Sequence, residues 1–331
     1  MLSPALLMLS SMAIAFLVTP WIRMLALRAG VVDRPDQKRK LHHGEIPRLG
    51  GVVLMVAFMG SFAALAVLPP AAGQGMLAHR ESLVALAPSV VVIFAIGLLD
   101  DLVGLSPVFR LSFETAAALL ACGAGVMIGD AWWSVPVTAL WLVGAANAFN
   151  LIDGVDGLAA GVGLFATLTI LAAALAHGNQ SLALVTAPFA GALIGFLRYN
   201  FEPASIYLGD GGSLTIGFLL GCFGVIWGYK SATAIGMTAP LILLSVPFVD
   251  VGLAIGRRFL TMKPIFGADR GHIHHRLLDL GLSHTQTVLF IYGICVALAV
   301  LAFVLSGAAQ LYAFLAFVVV AGLVFYALSR R

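Results

Sequence analysis

Long apolar runs, each about as long as a bilayer crossing, alternate along the chain with short polar segments. A helix needs about 20 mainly apolar residues to traverse the hydrocarbon core. Runs of this kind lie at 4–22, 50–69, 83–99, 111–128, 134–150, 157–176, 181–198, 213–228, 236–256, 286–305 and 308–328. Lipid offers backbone N–H and C=O groups no water, so each run is expected to be helical. No segment shows the ten-residue alternation of a transmembrane β-strand. The pattern predicts an all-α integral membrane protein with about eleven transmembrane helices, forming a single polytopic membrane domain over residues 1–331.

The polar segments orient the chain. With the N-terminus outside and the C-terminus cytoplasmic, 16 of the 18 Lys and Arg residues fall inside, leaving only Arg80 and Lys230 outside. That asymmetry is the positive-inside pattern. The first run has its basic flank behind it rather than ahead of it, which reads as a retained span and not a cleaved signal peptide. Composition agrees: 331 residues, 61% hydrophobic and only 10% charged, with mean hydropathy +1.05. Soluble domains carry about 25% charged residues, so soluble, disordered and disulfide-scaffold classes are excluded. A net charge of +3 gives no reason to expect nucleic-acid binding. Cys122, Cys222 and Cys295 lie in apolar runs without a CxxC pair and read as small hydrophobes. The GxxxG pairs Gly157/Gly161, Gly191/Gly195 and Gly217/Gly221 read as close helix packing within the chain.

The acidic residues change the picture from membrane protein to enzyme. Of 15, only Glu81 and Asp130 fall outside; the others gather at the cytoplasmic edge. A transporter would be expected to place them near the bilayer midplane. Five inside loops carry eleven of these thirteen, at 23–49, 100–110, 147–157, 198–213 and 257–285. The first is rich in Lys, Arg and His, including Lys40 and His42, between Pro35 and Pro47, and suits phosphate recognition. The second opens on Asp100-Asp101 at the end of a helix, the wrong pole of its dipole for a carboxylate. Folding gives no evident reason for that pair, which suggests a divalent cation or a role in moving charge. Arg110 could neutralise the pair or hold a substrate phosphate. In the third, Asn147, Asn150, Asp153 and Asp156 recur every three residues, with Gly154 and Gly157 expected to unwind the helix and gather their oxygens. The fourth sets Asp210 among Gly209, Gly211 and Gly212 ahead of a helix, where backbone amides suit an anion. The fifth holds Arg257, Arg258, Arg270, His272, His274, His275 and Arg276. Three histidines could bind zinc, but the Asn/Asp oxygen set suits Mg²⁺ or Mn²⁺ better. Asp250 lies inside the ninth run and could be buried with a partner or border the site. Jointly these parts make up the inventory of phosphoryl transfer.

On five motifs the chain resembles the polyprenyl-phosphate N-acetylhexosamine-1-phosphate transferases: DRPDQKRKLHHGEIPRLGG (33–51), GLLDDL (97–102), NAFNLIDGVDGLAAG (147–161), YLGDGGSLTIG (207–217) and DRGHIHHRLLDLGLS (269–283). The HIHH form is similar to the bacterial N-acetylglucosamine branch. The resemblance implies Mg²⁺-dependent transfer of a sugar 1-phosphate from a UDP-sugar to undecaprenyl phosphate, with release of UMP, at the bacterial cytoplasmic (inner) membrane. It implies Asp210 as the main Mg²⁺ ligand with Asn150 nearby, and Asp100 and Asp101 beside the lipid phosphate and the pyrophosphate. Asp153, Gly154 and Asp156 would belong to the nucleotide pocket, with Tyr207 stacking on uracil where relatives often have Phe. His272, His274, His275 and Arg276 would face the sugar and its phosphate, with Lys40, His42, Arg110, Asn147 and Arg270 also in contact with substrate. Glu114 departs from the commoner Gln. The resemblance also makes a homodimer plausible. Another UDP-N-acetylhexosamine or UDP-MurNAc-pentapeptide is the alternative donor, and a transporter of a phosphorylated substrate is the non-enzyme alternative.

Overall fold

A computed structural model describes residues 2–33, 45–67, 80–229, 238–262, 271–305 and 308–329. In chain order the elements are α1 (Leu2–Ala29), β1 (Val32–Asp33), β2 (Ile46–Pro47), α2 (Gly50–Val67), α3 (Arg80–Val103), α4 (Pro107–Gly123) and α5 (Ser134–Ile152). There follow α6 (Leu158–Ala176), α7 (Gln180–Asn200), α8 (Gly209–Tyr229), α9 (Thr238–Leu243), α10 (Ser245–Leu260), α11 (Ile273–Asp279), α12 (His284–Val304) and α13 (Ala308–Ser329). The two strands pair antiparallel, Val32 opposite Pro47. Among the described residues seven helices, α1, α3, α5, α6, α7, α8 and α12, are long and apolar enough to cross a membrane, and α2 and α13 add shorter apolar stretches. The fold is nearly all helical, that of a multi-pass membrane protein.

Among the described residues every apolar run lies mostly on helix, with some differences from the expected bounds. The run at 111–128 begins earlier, at Pro107, because Ser106 Oγ accepts from Phe109 N at 3.3 Å and proline occupies the first helical position. α4 ends at Gly123, short of 128; α3 in turn runs on to Val103, so Asp100, Asp101 and Arg110 are all helical and the linker between α3 and α4 shrinks to 104–106. The run at 236–256 is broken at Leu244 into α9 and α10. Pro247 has no N–H for the Leu243 carbonyl four residues back, which places the break there.

α8 is the central helix, with 89% of its apolar stretch buried, packed against α2, α3, α5 and α6; α7 is next at 78%, between α1 and α6. Close approach depends on glycine. A Cβ on Gly191 or Gly195 would meet the Met8 or Met12 carbonyl of α1 at 2.1 or 2.5 Å, and one on Gly217 the Ala145 carbonyl of α5 at 2.2 Å. These GxxxG pairs are internal seams. Only 22% of α1 is buried, and residues such as Leu17 and Trp21 face outward, where lipid would solvate them. The C-terminal ends of α3, α5 and α7 meet the N-terminal ends of α2, α4, α6 and α8 at one end of the bundle, through the polar contacts described next.

Candidate active site

The floor of that end is built by backbone pairing. Tyr207 N donates to Pro47 O at 2.7 Å, while Gly50 N and Gly51 N donate to the Tyr207 and Leu208 carbonyls at 2.9 and 2.8 Å. The 201–208 segment thus lies along β2 and the start of α2. At Gly209 the chain takes φ +74°, a left-handed turn that favours glycine, and enters α8 at Asp210. A cleft of about 640 Å³ opens here, lined among others by Asp33, Arg48, Asn150, Asp153, Gly154, Asp156, Tyr207, Asp210, His275, Glu202, Leu278 and His284.

Asp101 stands behind the cleft with its side chain 2% exposed. Its Oδ1 accepts from Asp210 N and its Oδ2 from Gly211 N, each at 2.9 Å. Two expectations are corrected by this. The first amides of the glycine-rich turn are occupied by a side chain of the protein itself, so they do not form an open anion cradle. Nor is the Asp100-Asp101 pair unexplained by folding. Asp101 ends α3 but begins α8, where a carboxylate complements the helix dipole. Asp100 accepts from Leu105 N at 2.6 Å and from Arg110 Nη1 at 2.8 Å.

Arg110 resolves the choice left by its sequence position. Its guanidinium meets Asp100 at 2.8 Å, Glu114 at 3.2 Å and Asp210 at 3.5 Å, so it neutralises carboxylates rather than reaching out to a substrate phosphate. Asn147 is likewise turned inward, its amide donating to Glu114 Oε2 and to Val143 O at 3.0 Å; it does not line the cleft. Asn150 does, donating to Asp210 Oδ1 at 2.6 Å and to Ser213 Oγ at 3.1 Å. α5 ends at Ile152, and the expected unwinding at Gly154 follows. Asp153 and Asp156 fall in this turn, with Asp156 Oδ2 accepting from Ala204 N at 2.7 Å.

The electrostatics of the cleft are those of crowded carboxylates. Burial, then the charges of Asp210 and Asp101, push the Asp153 carboxyl up to about 8, and among the described residues none donates a hydrogen bond to it. Burial and the neighbouring Asp156 raise the Tyr207 phenol, which stays an O–H donor throughout the physiological range. Arg48 borders the cleft with its guanidinium 3.9 Å from Asp33 and 4.0 Å from Asp101. Burial, then His275, push the His274 imidazole down to about 3, so it is neutral.

The histidines divide. His275 lines the cleft, whereas His272 and His274 are buried behind it, 6% and 2% exposed. Arg276 Nε points back to Gly271 O at 3.4 Å. Lys40, His42 and Arg270 lie outside the described residues. Sequence reasoning passed over Asp33, Arg48, Glu202 and His284 as cleft residues. The first two sit in a basic segment whose short strands carry no period long enough to be read. His274 Nε2 would lie 2.7 Å from a Cβ on Gly154. Gly154→Ala is expected to displace the histidine helix and cost about 1–3 kcal/mol, read as a lower unfolding temperature in detergent. Gly252→Ala, with nothing within 4 Å of the added carbon, should be silent.

The donor set fits a hard divalent cation. Among the described residues no three His, Cys, Asp or Glu side chains form a metal cage, and Mg²⁺ does not ask for one, since it commonly takes one or two carboxylates plus water and substrate phosphates. Asp210 faces the cleft with its side chain 26% exposed, beside the Asn150 amide and the unbonded Asp153 carboxyl. Two carboxyl groups and an amide oxygen gathered in one partly buried, oxygen-rich site suit a hard cation of this kind.

Known proteins share this layout of sequence. The Glycosyl transferase family 4 description matches residues 83–228, from α3 to the end of α8. A probable undecaprenyl-phosphate N-acetylglucosaminyl 1-phosphate transferase of Bacillus subtilis is 33% identical over 310 residues, covering 90% of this chain and 84% of the relative. A decaprenyl-phosphate N-acetylglucosaminephosphotransferase of Mycolicibacterium smegmatis is 33% identical over 87% of this chain and 78% of its own length. A phospho-N-acetylmuramoyl-pentapeptide-transferase of Rubrobacter xylanophilus is 30% identical over 88% and 95%. The resemblance carried by the five motifs thus extends over most of both chains, and this protein belongs to the family of undecaprenyl-phosphate N-acetylglucosaminyl 1-phosphate transferases and related polyprenyl-phosphate transferases.

Proposed function

We propose that this chain transfers a sugar 1-phosphate, GlcNAc-1-phosphate foremost, from a UDP-sugar to undecaprenyl phosphate and releases UMP. The observation that carries this reading is the convergence of Asn150, Asp153, Asp210, Arg48 and Tyr207 on one cleft, in a chain whose relatives are named for polyprenyl-phosphate transfer. In the topology that goes with it, eleven spans place the N-terminus outside and the cleft at the cytoplasmic face of a bacterial inner membrane.

A phosphomonoester has a second pKa of about 6, so the lipid phosphate arrives already mostly dianionic and needs little help from a base. Its oxygen attacks the phosphorus bonded to the sugar, in line with the phosphoanhydride oxygen. A new P–O bond forms, the old one breaks, and UMP leaves with the bridging oxygen. The barrier is the approach of two anions. Asp210 with the Asn150 amide would hold Mg²⁺ (Mn²⁺ in its place), which supplies charge neutralisation to the phosphates when bound. Arg48 adds a cation at the mouth, and Tyr207 offers its ring face and phenol to the base and its phosphates. His275 lines the same cleft and would face the sugar phosphate. Asp100 and Asp101, held by Arg110 and by the α8 amides, shape the carboxylate that binds the metal rather than acting as covalent nucleophiles.

The test is purified protein with undecaprenyl phosphate, Mg²⁺ and a panel of UDP-sugars, scored for UMP. Release with UDP-GlcNAc is expected. Release only with UDP-MurNAc-pentapeptide would move the protein to the branch of its Rubrobacter relative, and no release with any donor would remove the transferase reading.

Proton linkage gives a second check. Without a cation Asp153 holds its proton below about 8; a nearby positive charge favours the ionised form. Cation binding at neutral pH should therefore release a proton, and affinity should rise with pH up to about 8 and level off above it. Calorimetry in buffers of different ionisation enthalpy measures this, and pH-independent affinity would contradict it.

A further inference from the structure

Asp250 is an ionisable residue inside α10 and is 2% exposed. A buried carboxylate is costly to keep unless its oxygens are paired. Its two oxygens serve one short segment. Oδ2 lies 2.8 Å from His272 Nδ1, and Oδ1 accepts from Ile273 N at 2.7 Å. The carboxylate thus ties α10 to the entry of α11. From there the contact passes inward. The His272 and His274 rings lie parallel, 1° apart in plane with centroids at 5.7 Å. His274 packs its Nε2 against Gly154, next to Asp153, and lies 4.3 Å in centroid distance from His275, which lines the cleft. Arg257 Nη1 also binds this corner, donating to Gly271 O at 3.0 Å.

We propose that Asp250 is a positioning residue for the transfer reaction: its carboxylate holds His272 with the proton on Nδ1 and sets α11 against the Asp153–Gly154 turn, so that His275 is presented to the donor substrate. A carboxylate can only accept, so the ring nitrogen facing it must be the donor. A buried carboxylate behind a histidine fixes both tautomer and orientation, and loss of such partners typically costs about 10- to 100-fold in function. The inference rests on the transferase reading for its kinetic part and on geometry alone for the tautomer.

Asp250→Asn is the discriminating change. The amide oxygen can still accept from Ile273 N, but its NH₂ then faces His272 Nδ1 and favours the opposite tautomer, so shape is kept while the proton moves. With UMP release as the readout, kcat is expected to fall about 10- to 100-fold, with the KM for the UDP-sugar changing far less. If Asp250 acts through His272, the Asp250→Asn/His272→Gln double variant should be no slower than His272→Gln alone. Wild-type kcat in Asp250→Asn, or losses that multiply in the double variant, would overturn the proposal. Nitrogen NMR of histidine-labelled wild-type protein, with His272 assigned by difference from His272→Gln, does not depend on turnover or on the Asp250 variant folding. It should find Nδ1 protonated; an Nε2–H tautomer refutes the proposal. A wild-type protein that fails to release UMP refutes the transferase reading instead.

Discussion

Asp210→Asn is expected to cut UMP release at least about 100-fold, the scale on which removal of a single preorganised electrostatic group acts on charge-separating chemistry, while the protein still purifies as a folded membrane protein. Asparagine has the volume of aspartate, and the backbone N–H of residue 210 keeps its bond to Asp101. The lost charge is the only carboxylate that both faces the cleft and touches Asn150, at 2.6 Å, among the described residues. Asn150 can turn its amide so that its oxygen accepts from the new NH₂, which keeps the contact but leaves no anionic oxygen for a cation. Size-exclusion behaviour and unfolding temperature check the fold, and the Mg²⁺ dependence of UMP release checks the chemistry. Full turnover in Asp210→Asn would show that the metal is held elsewhere.

Arg110→Ala is expected to act on stability. One guanidinium compensates Asp100, Glu114 and Asp210, with the Asp100 and Glu114 side chains 9% and 1% exposed. Removing one partner of a buried ion pair leaves charge without compensation and costs about 3–5 kcal/mol. The variant should unfold at lower temperature in detergent. Glu114→Gln added to it should recover part of the loss, because an amide needs no counter-charge and can still accept from Asn147. A wild-type unfolding temperature for Arg110→Ala would mean that the three carboxylates are neutralised by protonation or by solvent. Glu114, the position at which this chain departs from its resemblance, is thus bound to the same cation as Asp100.

The helices were legible in the sequence because lipid imposes one requirement on every residue that crosses it. A run of about 20 apolar residues in a bilayer has helix as its closed hydrogen-bonded form, and among the described residues helix covers most of each run. The break at Leu244 had a local signal in Pro247, although apolar length alone passes over it. The polar segments were legible as a group, since ionisable residues crowded at helix ends in so apolar a chain ask for a function. What each side chain does there was much less legible. Asp101 reads as a cleft carboxylate but spends both oxygens on amides 109 and 110 positions away. Arg110 reads either as a neutraliser of the Asp100-Asp101 pair or as a phosphate clamp, and only its place among three carboxylates decides for the first.

Sequence by itself determined the all-α membrane class, the clustering of acidic residues at loop edges, and the motifs that place the chain in its family, because these follow from local composition and spacing. Only the tertiary structure decided which carboxylates face the cleft and which bind the protein to itself, and it gave Asp250 a partner in His272. The physical reason is that a carboxylate's role depends on which donors lie within about 3 Å of it. In a bundle whose α3 and α8 meet across a hundred residues, those donors come from elements that no local pattern pairs.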